Sequence, residues 1–301
     1  MGQLNGSESR SGFVALAGRP NVGKSTLANA IVGARVAIVS DKPQTTRRAI
    51  RGVANGPGWQ LVLVDLPGVQ RPRDTLTARM QGRVEHELSD ADGALLVVSA
   101  AASPAIGPGD RFIARRLCAG RPVTIAVNKI DLVSRASLVA ALAGAAELLP
   151  GAEVFPISAR TGEGVAELVE HLAALLPPGP PYFPAAQRSD QPAAVRIAEL
   201  VREQALARTR EEIPHALEVE VAELERPRDG LLIVRASVLV ETESQKRILI
   251  GAGGRMIKAI GVAARRSVER ELGERIHLEL TVRVRRRWRA DEGLLDRLGI
   301  G

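Results

Sequence analysis

Aromatic residues are scarce in this chain, with two Trp, one Tyr and four Phe among 301 residues. A core must therefore be assembled from Val, Leu, Ile and Ala, and a hydrophobic fraction of 45% supplies enough of them. Cysteine occurs once, at Cys118, so an internal disulfide is excluded. That residue reads as a small buried hydrophobe on a helix. The four histidines, His86, His171, His215 and His277, lie far apart and lack metal-ligand spacing, which excludes a zinc site built on them. No apolar run reaches the roughly 18 residues of a membrane span. The opening MGQLNGSESRSG has no apolar stretch of the kind found in a secretory signal. These absences predict a cytoplasmic protein in a reducing compartment, with a disordered leader over residues 1–11. What the chain has in excess is positive charge: 41 Lys and Arg against 34 Asp and Glu, a formal net charge of +7. Such a balance favours a polyanionic partner, either nucleic acid or an anionic membrane face.

Along the first half, short apolar runs alternate with helical patterns. Strands are predicted at Phe13–Ala17, Ile50–Val53, Leu61–Asp65, Ala94–Ser99, Val123–Asn128 and Glu153–Ile157, with Gly-Pro-Gly at 56–58 as a hairpin turn. Helices are predicted from Lys24 and near 110–119, 136–148 and 164–176. Strand–helix alternation implies an α/β domain, residues 12–176, with a mostly parallel six-stranded sheet and helices on both faces. The proline-rich run LPPGPPYFP at 176–184 cannot sit in a helix or a central strand, so 177–193 reads as a linker. Beyond it the order α-β-β-α-α-β predicts a small α+β domain over 194–290, followed by a tail, 291–301. Its helix runs from Ala194 to about Arg210. Its strands are Ala216–Leu224, Leu231–Val240 and Ile276–Arg286, the last with apolar residues on one face and polar residues on the other.

The first half carries a string of motifs with one chemistry. Gly18-Arg19-Pro20-Asn21-Val22-Gly23-Lys24-Ser25 fits the phosphate-loop pattern GxxxxGK[ST] between a strand and a helix. Its glycines let backbone N–H groups wrap phosphates. Lys24 reaches the β- and γ-phosphates, Ser25 offers a hydroxyl to Mg²⁺, and the helix N-terminus, with Thr26 in its first turn, adds a favourable dipole. Asp65-Leu66-Pro67-Gly68 fits DxxG, in which Asp65 holds Mg²⁺ through water and the Gly68 N–H senses the γ-phosphate. Asn128-Lys129-Ile130-Asp131 ends a strand, and the Asp131 carboxylate is the acceptor that guanine N1–H and its 2-amino group need. Adenine offers neither donor, so a buried carboxylate there rejects it. Asn128 is expected to tie this loop to the phosphate loop, Lys129 to lie along the base, and Ser158-Ala159 to aim a backbone N–H at guanine O6. In Gln44-Thr45-Thr46-Arg47, Thr46 is the preferred threonine to complete the Mg²⁺ shell, which makes Val39–Arg48 a switch segment. The predicted catalytic set is Lys24, Thr46 and Gly68, and the predicted metal set is Ser25, Thr46 and Asp65. Val69 follows DxxG where many small GTPases carry a water-orienting glutamine. Backbone and ordered solvent, or a partner, must then place the attacking water, and turnover is slow in either case.

In the second half, Gly251-Ala252-Gly253-Gly254 between two helical stretches fits the GXXG loop of a KH domain, which clamps a single-stranded RNA backbone. From Lys246 to Arg289 there are 13 Lys and Arg against 4 Asp and Glu. The expected RNA contacts are this loop with Arg255 and Lys258, and the arginines Arg283, Arg285 and Arg287. Trp288 among them is either a base-stacking platform or a core anchor.

The order GRPNVGKST, QTTR, DLPG, NKID, SAR, proline-rich linker and type II KH unit resembles the bacterial Era GTPase family over nearly the whole chain, from about Gly12 to Trp288. The resemblance implies a cytoplasmic GTPase using GTP and Mg²⁺, and a monomer is expected. It further implies binding to the 3′ end of 16S ribosomal RNA, assistance to 30S subunit assembly, and peripheral contact with the inner membrane. A membrane-surface signalling GTPase whose basic face binds anionic lipid is the competing reading. DLPG stands where the family usually has DTPG, and GAGG where it more usually has GKGG, so Ala252 brings no charge beside the RNA and Arg255 supplies one nearby.

Overall fold

Runs such as LVLVD and ALLVVS are apolar on both faces, which suits strands covered on each side by helices. In the computed structural model, which describes residues 9–42, 44–117 and 120–300, they lie at the centre of a six-stranded sheet. The strands are β1 (Arg10–Ala17), β2 (Ile50–Gly56), β3 (Trp59–Asp65), β4 (Gly93–Ser99), β5 (Val123–Asn128) and β6 (Val154–Pro156), in the spatial order β2-β3-β1-β4-β5-β6. Only β2 runs antiparallel, paired with β3 across the predicted hairpin. The helices are α1 (Lys24–Val32), α2 (Thr75–Asp90), α3 (Pro108–Leu117), α4 (Arg135–Leu148) and α5 (Val165–Leu175). Two apolar clusters, one on Leu16, Leu27, Leu63 and Leu168 and one on Ala15, Leu96, Ile113 and Val127, fill the two faces. β1 is flanked by β3 on one side and β4 on the other, so the strand order reverses there, and a crevice at the C-terminal strand ends is the usual ligand site of such a sheet.

The structure revises two expectations in this unit, and two others fall partly or wholly outside the described residues. Of the leader, residues 1–8 lie outside the described residues, but Arg10 and Ser11 already belong to β1. Cys118 also lies outside them. The proline-rich run does not hang free, because Pro177–Asp190 is part of the first compact unit. Prolines cannot donate hydrogen bonds, so the segment is held through its carbonyls and its few remaining amides. The Ser11 N–H donates to Pro177 O (3.1 Å) and the Val53 N–H to Arg188 O (2.8 Å). Gln60 Oε1 accepts from the Tyr182 and Phe183 amides at 2.7 and 2.9 Å. The Tyr182 ring meets Phe13 edge-on at 4.8 Å. A bridge between Gly52 and Ser189 also covers the open edge of β2.

The second compact unit comprises Gln191 onward together with Ile38–Thr45 and Asp74–Leu76. Its elements are α6 (Ala193–Leu206), α7 (Ile213–Ala216), β7 (Glu218–Arg228), β8 (Leu231–Val240), α8 (Glu243–Ile250), α9 (Arg255–Leu272), β9 (Arg275–Val284) and α10 (Glu292–Arg297). β7 pairs antiparallel with β8, and β8 parallel with β9 over Leu231↔Arg275 to Val240↔Val284. Helix α6 stops earlier than expected, with the Thr209 hydroxyl donating to Ala205 O. The predicted tail folds instead: Asp291 caps α10 by accepting from the Leu294 N–H (3.0 Å), and Leu294, Leu295 and Ile300 are buried. Trp288 is a core anchor, fully buried, with its indole N–H donated to Ala216 O at 2.8 Å. Buried in this unit, Arg202 meets Glu199 (2.7 Å) and Glu218 (3.6 Å) and donates to Thr45 O.

Candidate functional site

The chain leaves β1 at Ala17 and enters α1 at Lys24, so the intervening loop closes around its own helix N-terminus. Glycine is required at two points. A Cβ on Gly18 would lie 2.4 Å from Val97 O, and one on Gly23, at φ 102°, would lie 2.3 Å from Asn128 Nδ2. Val22 is buried beneath the loop, and Thr26 follows in the first turn of α1. Lys24 is buried, and its ammonium donates to Gly18 O and Arg19 O at 3.1 Å each. Burial lowers its pKa to about 8, against the pull of Asp65. The loop is braced from outside by Arg19, which donates to Asp110 Oδ1 at 2.9 Å.

At the end of β3, Asp65 is fully buried, and burial raises its carboxyl to about 6 despite Lys24, Ser25 and Thr46. Ser25 Oγ lies 2.6 Å from Asp65 Oδ2 and 2.9 Å from Thr46 Oγ1, while Thr46 Oγ1 is 3.5 Å from Asp65 Oδ2. Asp65 Oδ1 is buried without a hydrogen-bond partner. Three hard oxygen donors and an orphaned carboxylate oxygen suit Mg²⁺.

The residues expected to recognise the base gather at the ends of β5 and β6. Asn128 Nδ2 donates to Val22 O (2.9 Å), which links NKID to the phosphate loop. Lys129, at φ 68°, sends its ammonium to Asn21 O at 2.7 Å. Asp131 Oδ1 accepts from Ser158 Oγ and Oδ2 from Arg160, both at 2.7 Å. The Ser158 hydroxyl, more than Arg160, holds the Asp131 carboxyl below the usual carboxylate range. The Ala159 N–H donates to Asn128 Oδ1 at 2.9 Å, which ties the SAR segment to NKID. Sequence reasoning missed the Ser158 hydroxyl and Arg160 as partners of Asp131; the serine and arginine of SAR were the available signal.

Gly68 packs on Pro20, where a Cβ would lie 2.9 Å from Pro20 Cγ and 3.0 Å from Pro20 N. The next residue, Val69, is buried in the apolar cluster with Leu66 and Ile113, and its N–H donates to Gly18 O at 3.3 Å. It has no group with which to orient water.

In the second unit, α8 ends at Ile250 and α9 begins at Arg255, so GAGG forms the whole connection. Gly251, Gly253 and Gly254 take φ of 70°, 59° and 78°. Around Gly253 and Gly254 the space is open, so an approaching backbone meets no side chain there. Arg255 and Lys258 stand exposed in the first turn of α9. Of the arginines after β9, Arg285 is paired with Asp291 at 2.8 Å and Arg289 with Asp74, which dilutes the expected basic face. Arg283 and Arg287 are exposed and, among the described residues, belong to no ion pair.

Comparison with known proteins decides the family. Residues 13–129 match the 50S ribosome-binding GTPase family, and residues 212–289 match the KH domain family. GTPase Era of Mycobacterium bovis and that of Mycobacterium tuberculosis are each 45% identical over 300 residues, 97% of this chain and 99% of the relative. This chain belongs to the Era family of GTPases. Two solved Era structures share its fold across 97% of this chain and 99% of theirs, each at 34% identity. One, from Aquifex aeolicus, is bound to GDP·AlF4⁻ (TM-score 0.92). The other is in complex with MgGDPNP and nucleotides 1506–1542 of 16S ribosomal RNA (TM-score 0.93). The Era-family assignment agrees with a P-loop GTPase fold followed by a KH fold. The site residues described above are this chain's own.

Proposed function

We propose that the chain is a slow GTP-hydrolysing switch whose KH unit, within the proposed 194–290 domain, binds 16S ribosomal RNA near its 3′ end and assists 30S subunit maturation. The observation that carries the reading is the convergence of Ser25, Thr46 and Asp65 with Lys24 at the phosphate loop and of Asp131 at the base position. The likeness to an Era structure holding that RNA supplies the partner.

In this reading, guanine N1–H and the 2-amino group bond the two Asp131 oxygens, each of which keeps a lone pair beyond Ser158 or Arg160. Lys24 and the amides of Gly18–Thr26 neutralise and cradle the β- and γ-phosphates. Phosphate charge beside Lys24 would offset the burial that lowers its pKa. Ser25, Thr46 and Asp65 would hold Mg²⁺, and the ion would supply charge neutralisation at the β- and γ-phosphate oxygens. The Gly68 N–H reports the γ-phosphate, and Thr46 orders its segment when that phosphate is present. With Val69 apolar and buried, backbone groups and solvent align the attacking water, so the switch turns over slowly.

The GAGG loop clamps the RNA backbone, with Arg255, Lys258, Arg283 and Arg287 supplying charge. A monomeric, cytoplasmic chain with peripheral inner-membrane contact completes the proposal. The membrane-surface alternative gains no observation of its own.

RNA crosslinking in cells tests the reading. Enrichment at the 3′ end of small-subunit RNA is expected for the wild type and its loss for Gly253→Asp. Binding spread evenly over cellular RNA contradicts it.

A further inference from the structure

Helix α9 is amphipathic in an unusual sense. Its buried face, Ile260, Ala264 and Val268, packs into the core of the second unit. A second face carries residues 255, 258, 259, 262, 263 and 266, which follow the i, i+3, i+4 spacing of one helical stripe. This stripe and Arg208, just beyond α6, line a shallow, open groove of about 420 Å³. The walls are Arg208, Arg255, Lys258 and Arg266, and the floor is Ala259, Val262 and Ala263.

Among the described residues, no carboxylate pairs with any of the four cations. Arg208 donates to Gln204 O and Oε1, both at 3.0 Å, and Arg255 donates to Ala252 O at 3.2 Å. Four unneutralised cations around one concavity repel each other, and an anion relieves that repulsion. From Arg255 to Arg266 the helix rises about 16 Å, the reach of roughly three to five successive phosphates. The floor of alanines and one exposed valine suits the low-polarity faces of sugars. It lacks the bulky apolar side chains that insert into a bilayer. Arg255 follows Gly254 directly, so the groove begins where the GAGG loop ends.

We propose that this groove is a second RNA contact, holding the phosphate backbone of the strand that continues past the GAGG loop. The proposal rests on the reading of the second unit as RNA-binding. The loop clamps about four nucleotides, and the groove extends the contact along α9. It makes affinity depend on RNA length as well as on the segment at the loop.

The test uses the full chain and two RNAs ending in the small-subunit 3′ sequence. One has about 30 nucleotides and the other about six, enough for the loop alone. The double variant Arg208→Ala/Arg266→Ala removes two groove charges from exposed or half-buried positions, and thermal melting verifies that it folds. With a salt exponent of about 0.7 per contact, two contacts at 0.15 M salt are worth about tenfold in affinity and about 1.4 in log–log slope. The expected result is that loss for the long RNA, no change for the short one, and recovery in Arg208→Lys/Arg266→Lys. Gly253→Asp is expected to lose both RNAs. If the double variant binds the long RNA with wild-type affinity and slope while Gly253→Asp fails, the groove proposal is overturned and the loop reading stands. If the wild type binds neither RNA, both fall. Loss of binding to phosphatidylglycerol vesicles with long-RNA binding unchanged also overturns the proposal and makes the groove a lipid contact.

Discussion

Replacing Asp131 by Asn changes one oxygen to an NH2 group and leaves the volume almost unaltered. Asp131 sits in a short turn, Ile130–Leu132, entered through the left-handed Lys129. Its oxygens are aligned by Ser158 and Arg160 at 2.7 Å each. Because its carboxyl is held below the usual range, it is ionised throughout the neutral region. Guanine therefore meets a fixed, charged, two-oxygen acceptor. In the Asn variant one of its two donors faces an amide donor instead. A hydrogen bond to a charged group contributes about 1.5–3 kcal/mol. At 1.4 kcal/mol per tenfold, GTP affinity should fall between about 10-fold and about 150-fold. The effect on Arg160 is small, because that side chain is largely exposed and its ion pair weak. Xanthine carries an oxygen where guanine has its 2-amino group, so the new amide donates to it and xanthosine triphosphate should gain affinity. Competition against a fluorescent GDP analogue measures both. Unchanged GTP affinity, or a loss for both nucleotides alike, would refute the assignment of Asp131 to the base.

Three further outcomes follow from the geometry. Asp65 must be ionised to help hold Mg²⁺, and burial places its carboxyl at about 6. Mg²⁺-dependent GTP binding should be full above that pH and decline as pH falls through it, whereas the stability of the ligand-free protein gains from the same protonation; binding that stays flat down to pH 5 contradicts this. Gly68→Ala pushes a Cβ against Pro20, 3.0 Å from its nitrogen, and should slow hydrolysis with GDP binding retained, as read by phosphate release and nucleotide titration. Arg202→Met leaves Glu199 and Glu218 buried without their cation and should lower unfolding free energy by about 3–5 kcal/mol; a urea midpoint like that of the wild type would show that the cluster tolerates the loss.

The nucleotide site was legible because its chemistry is local. A phosphate loop, DxxG and NKID each fix their residue types within a few positions, and each falls at a strand end where the alternation of strands and helices predicts a crevice. Contacts between distant residues were not legible. Gln60 satisfies two amides more than 120 positions away, which turns the proline-rich run from a linker into a cover for the sheet edge. Trp288 had two plausible roles until Ala216 O was found opposite its indole N–H. Helix α2 escaped notice because its polar face dominates its composition. The helix in the supposed tail is short and depends on one Asp291 cap and two buried leucines. Counting arginines alone overlooked two carboxylates that pair with them: Asp291, six residues after Arg285, and Asp74, 215 residues before Arg289.

The most direct test of the central claim is single-turnover phosphate release by the purified chain with Mg²⁺ and either GTP or ATP, alongside Lys24→Ala. The account predicts slow GTP hydrolysis, on the order of 10⁻⁴ to 10⁻² s⁻¹, none from ATP, and none from the variant, which also fails to retain nucleotide. Equal release from ATP, or turnover near 10 s⁻¹ without any partner, would contradict it.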